Sequence, residues 1–132
     1  MESFASPLLT SSLSLLSLLS LQADFPSSYM YLAITLSRLD DFENAVAAYE
    51  KALEMDRDHL VELNYAITLY THEEFERASE HFAEFERIFG DLDQETKESD
   101  PDVLEQRALL AKCLTAISNG ENPGHAPIEA AK

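Results

Sequence analysis

The chain contains an internal repeat, and this repeat constrains the fold more than any other feature. Segment 31–54 aligns with segment 64–87, so that Ala33–Leu36 and Ala66–Leu69 both read AITL, 33 residues apart. A period of about 34 residues is typical of helix-turn-helix repeats, because each helical pair buries its apolar face only by stacking on the next. The repeat therefore predicts an all-α chain built from paired helices.

Small and aromatic residues recur at matched positions of the two aligned segments. Ala33 and Ala66 lie in the first helix of each predicted pair, and Ala45 and Ala78 lie early in the second helix. Small side chains allow two helix backbones to cross closely, and an aromatic ring fills the space beyond the crossing. The residues that we expect to pack the repeats together are Ala33, Ala45, Tyr49, Ala52, Ala66, Ala78 and Phe82.

This order of small and aromatic residues resembles the tetratricopeptide repeat. The resemblance implies a helix-turn-helix solenoid with two full repeats, over residues 26–58 and 59–90, and further helices on either side. The second repeat departs from the pattern, because Phe85 stands where a second alanine is expected and Glu62 replaces a large apolar residue. Atypical repeats are common near the end of an array.

A closer resemblance lies in segment 27–70, where the pairs Glu43-Asn44 and Asn64-Tyr65 are not part of the general repeat pattern. The segment is similar to the C-terminal repeats of the Bardet–Biedl syndrome protein four family, tetratricopeptide subunits of the BBSome. The resemblance implies a non-catalytic scaffold in ciliary membrane-protein transport. It also implies coat-complex subunits and pericentriolar satellite proteins as partners, and a cytoplasmic location near the cilium basal body and centrosome.

The positions predicted to bind a partner lie on the first helix of each pair, since these helices line the concave surface of tetratricopeptide arrays. They are Met30, Ile34, Arg38, Leu63, Ile67 and Tyr70. A carboxylate clamp for chaperone tails needs more Lys, Arg and Asn side chains than Arg38 and Asn64 supply, so a chaperone role is disfavoured. An apolar groove suits a partner's amphipathic helix or the chain's own last helix, and both interpretations remain open.

Residues 1–25 are rich in Leu and Ser and carry no charge between Glu2 and Asp24. Leucines recur there at helical spacing, which favours a buried helix from a partial repeat. A secretory signal is the alternative, although Glu2 is present and no Lys or Arg precedes the apolar run. The second hypothesis for the function of the whole chain is therefore a secreted or membrane-anchored interaction module. Direct membrane insertion is disfavoured, because serines and Pro7 interrupt the apolar run.

The C-terminal part of the chain separates into three segments by composition. Residues 91–102 are predicted to form an acidic linker and residues 103–118 a capping helix, with Ser99 or Asp100 as its N-cap. Residues 119–132 contain two Gly and two Pro and few core-forming side chains. We expect this last segment to be a disordered tail.

The charge balance excludes several classes of partner and site. The chain has 25 acidic and 9 basic residues and a net charge of −16. Phosphate backbones and anionic membranes repel such a chain, so nucleic-acid binding is disfavoured. Three glycines are few for phosphate-binding loops or β-hairpins. The single cysteine, Cys113, allows neither an intrachain disulfide nor a zinc site built from several thiolates.

No arrangement of residues predicts catalysis, a metal or a cofactor. Segment 72–76 reads HEEFE and resembles the zinc-protease pattern HExxH, but Glu76 takes the place of the second histidine. A metal site at His72 is the remaining enzymatic alternative, whereas a solvated turn between helices explains the same residues. His81, beside Glu80, is predicted to be exposed. We therefore predict that the chain is not an enzyme.

Overall fold

The structure is a computed structural model that describes residues 26–121, and in this range it consists of α-helices and short turns without a strand. The predicted all-α class is confirmed. The N-terminal segment 1–25 and most of the predicted tail lie outside the described residues. The helices are α1 Pro26–Arg38, α2 Phe42–Met55, α3 His59–Thr71, α4 Phe75–Gly90, α5 Gln94–Glu98 and α6 Pro101–Ser118.

The chain divides into two compact units, with the boundary between Arg57 and Asp58. In the first unit α1 packs along α2, and in the second unit α3 packs along α4. Helix α6 contacts α3, α4 and the short helix α5. The helical pairs fall within the two segments predicted as repeats, and α5 lies inside the segment predicted as a linker.

The same turn joins the two helices of each pair. The backbone of Asp40 has φ 64° after α1, and that of Glu73 has φ 65° after α3. In each turn the next N–H donates to a carbonyl five residues earlier at 2.8 Å, from Asp41 to Leu36 and from Glu74 to Leu69. These are Schellman-type helix ends, in which a left-handed residue lets the chain satisfy the last carbonyls of the helix.

Aspartate side chains begin three helices of the second unit, namely α3, α5 and α6. An oxygen of Asp58 accepts a hydrogen bond from the Leu60 N–H at 2.7 Å at the start of α3. An oxygen of Asp100 accepts one from the Asp102 N–H at 3.0 Å at the start of α6. A capping side chain of this kind contributes about 1 kcal/mol to helix stability. Asp100 is therefore the N-cap of α6, as one of the two predicted candidates.

Candidate protein-interaction surface

Most of the side chains predicted to face a partner are buried in the structure. Arg38, at the end of α1, is the exposed member of the set. A side chain with almost no exposed surface contacts a partner only if the element that covers it moves away. The structure therefore places most of the set in the core of the chain. The buried members are Met30, Ile34, Leu63, Ile67 and Tyr70.

Helix α3 is enclosed along most of its length. Every residue from Val61 to Tyr70 is buried. The one charged residue in this span is Glu62, so α3 lacks the polar face of a surface helix. Both α4 and α6 contact it. The repeat register placed α3 along a groove, whereas the apolar residues on all sides of this helix were the signal that it belongs to the core.

The environment of Tyr70 shows which element covers the end of α3. Its hydroxyl group interacts with the thiol of Cys113 in α6, and each residue exposes 4% of its surface. Burial and, secondly, the hydrogen bond with Cys113 raise the pKa of Tyr70 from 10.0 to about 12. At Tyr70, therefore, the chain's own last helix occupies the position where a partner helix was the alternative.

The raised pKa of Tyr70 makes the stability of the chain depend on alkaline pH. In the unfolded chain a tyrosine ionises near pH 10, so the unfolded state loses this proton first as the pH rises. The stabilisation linked to Tyr70 is complete below pH 10 and is lost as the pH approaches 12. We expect Tyr70→Phe to remove about 2 to 3 kcal/mol of this alkaline loss.

Urea unfolding of wild type and Tyr70→Phe at a series of pH values measures this difference. Tyr31→Phe is the matched control, because Tyr31 is an exposed tyrosine of α1. We expect the control to retain the alkaline loss of stability in full. Identical pH profiles for wild type and Tyr70→Phe would contradict the burial of the Tyr70 hydroxyl group.

Polar side chains of α3 and α4 contact one another inside the second unit. Glu62 and Tyr65 lie on α3, and Arg77 and His81 lie on α4. Oε1 of the fully buried Glu62 lies 2.6 Å from Nδ1 of His81. The centroid of the His81 ring lies 4.2 Å from that of Tyr65, whose hydroxyl accepts a hydrogen bond from Arg77 at 3.0 Å. The expectation that His81 is exposed is wrong, since its ring is half-buried against these partners. The contact with His81 gives one oxygen of the Glu62 carboxylate a partner at a position where the repeat pattern expects a large apolar residue.

The residues predicted to pack the repeats occupy interior positions almost without exception. Phe82 is half-buried, and each of the others exposes none of its surface. Complete burial of alanines at matched positions is what a close approach of helix backbones requires. The fully buried members are Ala33, Ala45, Tyr49, Ala52, Ala66 and Ala78.

Aromatic rings stack along one side of α4. The ring centroids of Phe82 and Phe85 are 5.8 Å apart, and those of Phe85 and Phe89 are 5.2 Å apart. The ring of His59, the first residue of α3, lies 6.3 Å from Phe85 and 5.9 Å from Phe89. Phe85 is fully buried, so the position where the pattern expects alanine is filled here by a ring that anchors the start of α3.

Arg107 of α6 forms an ion pair with Glu86 of α4. The Nε and Nη2 atoms of Arg107 donate to the two carboxylate oxygens of Glu86 at 2.7 and 2.8 Å. The guanidinium carbon also lies 5.0 Å from the centroid of the Phe89 ring. The hydrogen bonds to Glu86 raise the pKa of Arg107. Because the two bonds are parallel, they orient the helices more strictly than a single ion pair does.

An open groove of about 300 Å³ runs between α4 and α6. Its large apolar lining residues are Phe82 and Leu114, and Ala83 and Ala111 line it with small side chains. Sequence analysis did not anticipate this surface, because its two walls come from helices that are far apart in the sequence. Hydroxyl-bearing residues complete the lining: Ser79, Thr115 and Ser118.

Between residues 26 and 121, no three His, Cys, Asp or Glu side chains lie close enough together to hold a metal ion. His72, Glu73 and Glu74 form the turn between α3 and α4. In the same part of the chain, no helix has the length and apolar character needed to cross a bilayer.

Residues 26–59 match the family model of the tetratricopeptide repeat. The BBSome complex member BBS4 of Xenopus tropicalis is 37% identical to this chain over 87 residues. The proteins of the same name from Bos taurus and Mus musculus are 39% and 38% identical over 88 residues. Each match covers 65% of this chain and 17% of the relative, so the chain spans about a sixth of the length of these relatives. No solved structure matches the chain significantly.

These findings agree with the geometry of the molecule. The matched repeat covers α1 and α2, whose turn and fully buried alanines have counterparts in α3 and α4. The resemblance drawn from the sequence alone is thereby confirmed. Residues 26–59 thus match one tetratricopeptide repeat, and the chain, which forms paired helices between residues 26 and 121, is similar to BBS4.

Proposed function

We propose that the chain is a non-catalytic scaffold that binds other proteins as a subunit of a BBSome-type complex. The observation that carries this proposal is the similarity to BBS4 of three vertebrates, at 37–39% identity over 87 or 88 residues. These relatives are named as members of the BBSome complex. The finer part of the proposal is a role in ciliary membrane-protein transport, with coat-complex subunits and pericentriolar satellite proteins as partners, near the basal body in the cytoplasm.

Two physical features support a role in protein binding. Paired helices of the tetratricopeptide type leave faces at the end of a stack that another helix can cover. The net charge of −16 also attracts basic surfaces over several ångströms and accelerates their association. An acidic helical scaffold is therefore suited to basic protein partners.

Co-purification from ciliated cells tests the proposal. We expect the tagged full chain to recover other BBSome subunits. Ala45→Phe, which disrupts the packing of the first helical pair, should recover much less, and Ala47→Phe on the exposed side of α2 should behave as wild type. Recovery of the folded chain without any BBSome subunit would count against membership of such a complex.

Mass spectrometry of the mature N-terminus tests the alternative that the chain is a secreted or membrane-anchored interaction module. The Leu- and Ser-rich stretch before Asp24 is the feature that favours this alternative. A mature chain that starts near Asp24 supports secretion and contradicts the cytoplasmic proposal. A chain that retains residues 1–23 contradicts a cleaved secretory signal.

A further inference from the structure

The end of α6 has the same turn that joins the helices of each earlier pair. Gly120 has φ 79°, in the left-handed region that Asp40 and Glu73 also occupy. The N–H of Glu121 donates to the carbonyl of Ala116, five residues earlier, at 2.8 Å, the distance found in both earlier turns. After each of those turns a second helix packs back along the first. Helix α6 therefore ends in the same way as the first helix of each earlier pair.

The side chains that line the open groove between α4 and α6 suit the binding of a second helix. Phe82 and Leu114 offer apolar surface, and the small side chains of Ala83 and Ala111 allow a helix backbone to approach closely. The lining positions on each helix are spaced by three or four residues, so each helix contributes one continuous face. Two such faces side by side form the kind of groove that an amphipathic helix fills.

The residues that follow in this chain are poorly suited to fill the groove. Segment 122–132 contains Pro123, Gly124 and Pro127, and its one large apolar side chain is Ile128. Proline and glycine are the two residues least favourable in a helix interior. This segment is therefore a poor occupant of the groove.

Charged residues around the groove indicate which charge the bound helix carries. Glu76 and Glu80 on α4 and Glu121 after α6 are exposed and lie within three residues of lining positions. The exposed cations near the lining are Lys112 on α6 and Arg87 on α4, and Arg87 is paired with Glu84. The net charge of −16 makes a second copy of the chain a repelled occupant. A basic helix, in contrast, is attracted both by the rim and by the chain as a whole.

We infer that the groove between α4 and α6 binds a basic amphipathic helix of a partner protein. The apolar face of that helix contacts Phe82 and Leu114, and its Lys and Arg side chains face the acidic rim. This inference rests on the scaffold role proposed above, but it requires no particular complex.

Isothermal titration calorimetry of the full chain with a synthetic peptide tests the inference. The peptide is about 18 residues long, with Leu and Ala at helical spacing on one face and Lys and Arg on the other. A scrambled peptide of the same composition lacks the apolar face, and a charge-reversed peptide carries Glu in place of Lys and Arg. Ala83→Trp fills the groove, and Ala47→Trp is the matched control at an exposed position of α2 outside the lining.

We expect the basic amphipathic peptide to bind, and Ala83→Trp to weaken its binding at least tenfold. Ala47→Trp should leave the affinity unchanged, and the two control peptides should bind at least tenfold more weakly than the designed one. Circular dichroism confirms that both variants keep the helical content of the wild type. A loss of affinity in Ala83→Trp then results from the filled groove and not from unfolding.

Several results overturn the inference. They are the absence of binding, equal binding to wild type and Ala83→Trp, and equal binding of the scrambled or charge-reversed peptide. A dimer that Ala83→Trp abolishes assigns the groove to a second copy, and a tenfold gain in affinity after removal of residues 122–132 assigns it to the chain's own tail. Because the purified chain and a peptide suffice, this test and the co-purification test can fail independently.

Discussion

Replacing Phe85 by alanine should lower the free energy of unfolding by about 3 to 5 kcal/mol. The side chain exposes none of its surface, and its ring lies between those of Phe82 and Phe89 with His59 alongside. Truncation removes apolar surface from the core and leaves a cavity that the neighbouring rings fill only in part. Since a domain is stable by only about 5 to 15 kcal/mol, this loss is a large fraction of the total.

Urea unfolding followed by circular dichroism measures the effect of Phe85→Ala. Tyr31→Ala removes an aromatic ring of similar size from a position that is 52% exposed, and it should change the free energy by less than about 1 kcal/mol. Phe85→Leu keeps most of the volume and should cost less than Phe85→Ala. A loss below about 1 kcal/mol for Phe85→Ala would show that the stacked rings are not close-packed.

We expect Ala45→Phe to destabilise the first unit by about 3 kcal/mol or more, at the upper end of the range for overpacked cores. Ala45 is fully buried in α2, and this helix packs along α1, where Ala33 is also fully buried. No surface at Ala45 faces solvent, so a ring placed there must push the two helices apart or distort neighbouring side chains.

The matched control is Ala47→Phe, two residues along the same helix at an exposed position. The two variants share the chemical change and the loss in helix propensity, about 0.5 kcal/mol, and differ only in burial. Comparing the thermal unfolding midpoints of the two proteins separates the effect of burial from the effect of helix propensity. Equal midpoints for both variants would contradict the close crossing of α1 and α2.

The paired helices could be predicted because their signal is local and repeated. Alanines such as Ala45 and Ala78 recur at one spacing, and their small size follows directly from the close approach of two backbones. The turns inside the pairs were harder to place. Asp40 and Glu73 adopt the left-handed conformation without glycine, so no glycine marks these helix ends in the sequence.

The candidate surface could not be predicted in the same way, because it depends on contacts between distant segments. Register alone assigned Leu63 and Ile67 to an accessible groove, whereas α3 is enclosed in the structure. The pairing of Glu62 with His81 and the meeting of Ala83 with Ala111 have no local signature, since each joins two different helices. Only the lack of a polar face on α3 could have signalled its burial.

The contact of Tyr70 with Cys113 gives the molecule an internal reporter. Cys113 is the single thiol of the chain and is buried. An alkylating reagent reaches this buried sulfur when α6 separates from α3. The labelling rate, divided by the rate for the thiol of the unfolded chain, therefore follows the opening of that contact. Alkylation of this native thiol therefore measures how often the last helix detaches, without an introduced cysteine.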